Sequence, residues 1–326
     1  MSAYSSLVLL FLAFLTSPSS TTYAYRLGDV QSWCRKTPYP QPCEYFLSND
    51  GKSSPIARKS DFLRISLELA LEHAFHAHGH ASSLGYECRN AREKVAWSDC
   101  LELYDHAIHR LNLTIGRKCT QEDTQTWLSA ALTGLQTCRD GFAELGVADH
   151  VLPMMSNNVS KLISNALAMN YVPYSGPKYG QWFPSWLKPL ERKLLQSSSS
   201  SSPKANVIVA GDGSGNYRTI QGALNAASKR KGSSRYVIYI KAGTYKENIE
   251  VGKSLKNIMF IGDGMGKTII TGSKSVGGGS TTFSSATVAV TGDGFIARDI
   301  TIRNTAGAAN HQAVALRSVS NFKIIK

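Results

Sequence analysis

From Arg235 to Arg317 the chain is a succession of short apolar runs closed by Gly, Asn or Asp: RYVIYIKAGTYKENIEV, NIMFIGDGMGKTIITGS, ATVAVTGDGFIARDITIRNTAG and NHQAVALR. YVIYI, IMFIG, TIITG, ATVAV and ITIRN are strand-sized, rich in β-branched residues, and either alternate or run apolar as half-buried strands do. No amphipathic helical period separates them, which leaves little room for crossover helices and disfavours a doubly wound sheet. Tyr236 and Ile258 are 22 residues apart, about one coil of a solenoid whose strands stack on equivalents in neighbouring coils. The coils are unequal and no strict repeat is visible. The pattern predicts a parallel β-helix, with a β-sandwich as the second architecture.

The same stretch carries a family signature. Gly243-Thr244-Tyr245-Lys246-Glu247 fits GxYxE, and GSTTFSSATVAV and NTAGAANHQAVALR follow it. Together they resemble the first half of a plant pectin methylesterase domain, from Ala205 to about Arg317, which implies a right-handed parallel β-helix. The ending SVSNFKIIK departs from that pattern, so the resemblance is expected to stop there and the chain to be truncated relative to the family.

At the other end, LVLLFLAFL follows a short polar leader and is closed by the small-residue exit Thr22-Tyr23-Ala24. That run is too short to span a bilayer and reads as a secretory signal peptide over residues 1–24. No other stretch is long and apolar enough for a membrane span. In an oxidising compartment the six cysteines, at 34, 43, 88, 100, 119 and 138, suggest disulfides, for which 15 pairings exist. None forms a CxxC, so zinc is a poor account of them. The sequons at Asn112 and Asn158 are compatible with glycosylation on the same route.

Between Ser60 and Leu167 the apolar residues recur three or four apart in four segments with short links, the pattern of an antiparallel four-helix bundle. Asp123 and Asn157 or Asn158 are expected N-caps, and Gly141 and Gly146 crowd the end of the third helix. DCLELYDHAIHRL, WLSAALTGLQTC and the early Cys34 and Cys43 resemble the pectin methylesterase inhibitor family. The resemblance implies Cys34–Cys43 and Cys100–Cys138 disulfides; Cys88 and Cys119 are left, paired only by elimination. His76 and His80 are one helical turn apart, but no carboxylate or cysteine is placed to complete a metal site, and a solvated helix end accounts for them. No metal or cofactor is expected.

Residues 171–204 read as a linker, rich in Pro and aromatics and ending near a run of six serines at 197–202. Within it Arg192-Lys193-Leu194-Leu195 resembles the basic motif at which a protease separates pro-region from enzyme in this family. The chain thus divides into a signal peptide (1–24), an inhibitor-like bundle (25–170), the processing linker and the first part of a β-helix (205–326). Charge is uneven: residues 203–326 hold 17 basic and 6 acidic residues, a surplus of eleven, against a surplus of two elsewhere. A secreted domain this basic suits an acidic polysaccharide. The leader and the absence of any nucleic-acid motif argue against nucleic acid.

Two glycine motifs invite a nucleotide reading and fail. Gly211, Gly213 and Gly215 are spaced GxGxG, with no acidic residue about 20 positions on to take a ribose hydroxyl. GDGMGKT would need its leading glycine where Ile261 stands. Both are expected to be tight turns. A serine esterase is excluded by the lack of a GxSxG elbow. The resemblance implies ester hydrolysis by two aspartates supported by an arginine, with glutamines at the oxyanion. Those aspartates and that arginine belong to QDTL, DFIFG and Arg-x-Trp motifs, none of which occurs in residues 1–326. Gln312 matches the family's first oxyanion glutamine and Thr282 a substrate-contacting threonine. The alternatives are a polar ladder residue inside the coils for Gln312 and a turn hydroxyl for Thr282. Asp263, Asp293 and Asp299 match no catalytic position. The expectation is a secreted, cell-wall pectinesterase hydrolysing methyl-esterified pectin, with its own pro-region as a partner; the competing expectation is a non-catalytic inhibitor-like binding protein.

Overall fold

The computed structural model describes residues 27–49, 56–116, 119–150, 158–171, 189, 204–232, 234–319 and 323–325. The expected signal peptide and the Arg192–Leu195 motif lie outside the described residues. No helix among the described residues is long and apolar enough to cross a membrane.

The first part is helical. Two short helices, α1 (Leu27–Cys34) and α2 (Pro40–Asn49), lead into α3 (Lys59–Ser83), α4 (Ala91–Gly116), α5 (Gln121–Glu144) and α6 (Asn158–Met169). The last four are the expected bundle, closed around Phe62, Leu69, Leu111, Leu128, Leu135 and Ile163. Thr120, not Asp123, is the N-cap of α5: its hydroxyl accepts from Asp123 N–H, while the Asp123 carboxylate returns the bond to Thr120 N–H, a capping box with Asp at the third helical position. Gly141 lies inside α5, and Gly146, at φ 68°, ends the chain's helical course just beyond it.

Cys34 bonds Cys43, and Cys100 on α4 bonds Cys138 on α5, as the resemblance implied. The elimination pairing is wrong: Cys88 and Cys119 are both free thiols. They flank α4, whose 26 residues at 1.5 Å each span about 39 Å. A disulfide needs α-carbons within about 7 Å.

The second part is a stack of parallel coils. Strands β1 (Val207–Val209), β2 (Tyr236–Ile240), β5 (Ile258–Gly262), β8 (Phe295–Arg298) and β11 (Lys323–Ile325) form one sheet in the order β1-β2-β5-β8-β11. A second sheet runs β4 (Ile249–Val251), β7 (Val288–Val290) and β10 (Leu316–Ser318); a third runs β3 (Gly243–Lys246), β6 (Thr268–Gly272) and β9 (Thr301–Asn304). Every pairing is parallel, which makes this a parallel β-helix and rules out the sandwich. Tyr236 pairs with Ile258, the 22-residue coil read from the sequence, whereas Met259 pairs with Ile296, 37 residues on. The longer coil accommodates a 15-residue excursion between β6 and β7, residues 273–287. Inward side chains fill the coils, with Phe260 edge-on to Phe295 at 5.1 Å. The ending expected to fall off the pattern continues it: β10 pairs with β7 and β11 with β8.

The GxYxE residues build the first coil. Tyr245 is buried, its hydroxyl donating to Lys241 O at 2.9 Å. Glu247 accepts from Ile220 N–H at 3.0 Å and Gln221 N–H at 3.1 Å, satisfying free donors at the start of helix α7 (Ile220–Ala227), which closes the end of the stack. Gly243 has φ 153°, at the edge of the region that favours glycine. Both glycine motifs are turns, with Gly213, Gly264 and Gly266 at positive φ.

Candidate functional site

The excursion at 273–287 is held to the chain around Gln312. Val276 N–H donates to Gln312 O and Gly277 N–H to Asn310 O, each at 2.9 Å. A Cβ on Gly277 would stand 2.9 Å from Asn310 O, so only glycine permits this approach. Asn304, at the end of β9, ties the region together: its amide donates to Lys274 O, Ser285 O and Val314 O at 2.8, 3.2 and 3.3 Å. These bonds tie the excursion that carries Thr282 to the segment that carries Gln312. Gln312 is exposed, so it is not a ladder residue inside the coils. Asn304 was missed from sequence; the NTAG that closes a strand was the available signal.

Thr282 is more than a turn hydroxyl. Its N–H donates to Glu144 Oε2 and its Oγ1 to Glu144 Oε1, both at 2.7 Å. Glu144 is the last residue of α5, so the bundle sits directly on the candidate substrate threonine. Next to it the Thr281 hydroxyl bonds Asp99 of α4, and a Cβ on Gly141 would lie only 3.1 Å from Thr281 Cγ2. Phe283 leaves the coils altogether and joins the core of the bundle, 8% exposed. The Arg317 guanidinium lies 3.5 Å from the Phe283 ring centroid and donates to Glu102 Oε1 at 3.1 Å. Arg110 of α4 donates to Val319 O at 2.6 Å. Of these docking side chains sequence reasoning singled out only Thr282, since helical periodicity says which face is polar but not what it meets.

The docked carboxylates are electrostatically distinct. Burial pushes the Asp99 carboxyl up to about 6, against the lowering effect of the Thr281 and Ser284 hydroxyls and of Arg317. Burial also pushes Glu102 upward, but the bonds from His106 and Arg317 outweigh it and leave the group below the ordinary glutamate value.

The other aspartates are tied down at strand ends. Asp263 accepts from the Tyr239 hydroxyl and from Ala242 N–H, and Asp299 pairs with Arg298 at 2.9 Å. No group of three or more metal-ligating side chains occurs among the described residues. The arrangement therefore offers hydrogen-bond donors on the coils, an exposed amide at Gln312, and a bundle carboxylate across the donors.

A helical bundle seated on the long excursion of a parallel β-helix is the architecture these contacts define. The Plant invertase/pectin methylesterase inhibitor family matches residues 28–169 and the Pectinesterase family residues 206–326. The second match runs to residue 326, which agrees with the pairing of β10 and β11 and corrects the expected end of the resemblance near Arg317. The chain is 61% identical over 312 residues to "Pectinesterase 2" of Citrus sinensis, covering 95% of this chain and 60% of that protein. It is 55% identical over 327 residues to "Probable pectinesterase/pectinesterase inhibitor 17" of Arabidopsis thaliana, covering 99% of this chain and 62% of that protein. The solved "Pectin methylesterase from Carrot" is 58% identical, over 39% of this chain and 40% of that one, with a TM-score of 0.37. The chain spans about three fifths of the length of the curated relatives it matches.

Proposed function

We propose that the protein works as a secreted cell-wall pectinesterase, hydrolysing the methyl esters of homogalacturonan to pectate and methanol, with its inhibitor-family bundle as an in-chain restraint. The observation that carries this is the placement of Thr282: its two donors stand on the same excursion whose Val276 N–H bonds the Gln312 carbonyl, and the bundle covers them with Glu144. In the mechanism the resemblance implies, Gln312 polarises the ester carbonyl and stabilises the oxyanion, while Thr282 orients the chain. Nucleophile and acid come from aspartates in the QDTL and DFIFG motifs, absent from residues 1–326. The basic surplus of the coil unit suits the polyuronate product as well as the substrate.

The cell-biological features belong to the same proposal. The leader at 1–24 directs secretion, a protease cuts near Arg192–Leu195 to part bundle from coils, and Asn112, exposed on α4, and Asn158 carry glycans.

The test is methanol release from methyl-esterified pectin. Residues 1–326 alone are expected to release none above buffer. Residues 1–326 joined to the C-terminal two fifths of the Citrus sinensis relative, cut within residues 172–203 and freed of the bundle, are expected to turn over, with Gln312→Ala lowering kcat about 10²–10³-fold. A bundle-free fusion that is folded but inactive, or one indifferent to Gln312→Ala, rejects the assignment.

A further inference from the structure

The contact between Glu144 and Thr282 has the geometry of ligand recognition. Each oxygen of a single carboxylate takes one donor, the backbone N–H on Oε2 and the hydroxyl on Oε1, both at 2.7 Å. This two-pronged arrangement is specific for a free acid. A methyl ester has one good acceptor, and its second oxygen carries a methyl group where the other donor points. The surroundings support the same chemistry. The coil unit carries 17 basic residues against 6 acidic ones, and the bundle meets it with three carboxylates. Asp99 lies on the Thr281 hydroxyl, Glu102 on Arg317, and Glu144 on Thr282.

We propose that the Thr282 donors form a binding site for the free carboxylate of a uronate unit, and that Glu144 occupies it in the docked state as a surrogate for that carboxylate. Uronate chains and the docked bundle then exclude one another. The inference rests on the pectin reading above and adds a chemical preference to it: the de-esterified polymer, product of the proposed reaction, loosens the bundle, whereas fully esterified polymer does not. Exchange of one carboxylate for another at the same donors is close to neutral, so tethering decides the balance. A linked group acts at an effective concentration on the order of millimolar. Short uronates should therefore compete weakly, and longer ones, held also by the basic surface, more strongly.

The experiment is calorimetric titration of residues 1–326 with hexagalacturonate, its fully methyl-esterified counterpart, and dextran sulfate. Glu144→Gln should tighten hexagalacturonate binding about tenfold, and Thr282→Val should weaken it about tenfold relative to Glu144→Gln, the scale of one charge-assisted hydrogen bond. Thr282→Ser should restore it. Both Glu144→Gln and Thr282→Val break the same interdomain contact, so a purely structural role would move both variants in one direction and would overturn the proposal. Equal gains for dextran sulfate, or for the esterified hexamer, would also overturn it, because they would reduce the effect to general charge or general opening. Melting curves confirm that each variant is folded, and Glu144→Ala serves if Glu144→Gln is not. Failure of every variant to bind either hexamer would count against the pectin reading itself; binding without that difference between Glu144→Gln and Thr282→Val would count against this inference alone.

Discussion

Asp99 sits on α4 under the Thr281 turn, with the Thr281 and Ser284 hydroxyls against it and Arg317 and Glu102 as charged neighbours. Burial raises its pKa from 3.8 to about 6, so its protonated form is the one the docked state favours. Its contribution is present in full below the ordinary carboxylate range and is lost as pH rises through about 6. Glu102 is lowered and acts in the opposite sense, contributing above the ordinary glutamate pKa and losing that contribution in stronger acid. Between pH 5 and 7 Asp99 governs, and docking should weaken about tenfold across that window, a partly exposed site discounting the full shift. Asp99→Asn should flatten the dependence. The measurement is the affinity between the two units after the linker is cut, read at each pH; an equally steep profile in Asp99→Asn would assign the titration elsewhere.

At the scale of elements, α4 and α5 are joined by Cys100–Cys138, which closes a 38-residue separation. Replacing Cys138 by Ser should cost the bundle about 2–4 kcal/mol in denaturant unfolding. Alkylation without reduction should modify Cys88 and Cys119 only, and protection of either would contradict the free-thiol assignment. Most elements were legible beforehand. The helices show a 3.6-residue period and the strands are short β-branched runs, and each element obeys the pattern that its burial requires. The Cys88–Cys119 error was avoidable, since the helical period over residues 91–114 already placed a long rod between the two thiols. The tail was a different failure. KII has too few residues to announce a strand, and it becomes β11 only because β8 offers the pairing edge. Register between coils depends on neighbours, which a single run of sequence does not contain.

For the molecule as a whole, the sequence led to the expectation of two units and a linker but not of their contact. Nothing in GSTTFSS marks Phe283, yet it crosses into the other unit's core and Arg317 stacks on it. Gln312 and Thr282 were found as site residues through resemblance, whereas Glu144, Asp99 and Glu102 depend on two separately folded surfaces meeting. Polar faces of helices are alike until a partner selects one. Interfaces of this kind concentrate their energy in a few buried aromatic and arginine anchors, so Phe283 with Glu144 should account for most of the docking here. The direct measurement is gel filtration at pH 5 after proteolysis within residues 172–203. The bundle and coil fragments should co-elute as one complex, and Phe283→Ala combined with Glu144→Ala should separate them. Fragments that part at once in the unsubstituted protein, or stay together in the double variant, would contradict docking through the Thr282 turn.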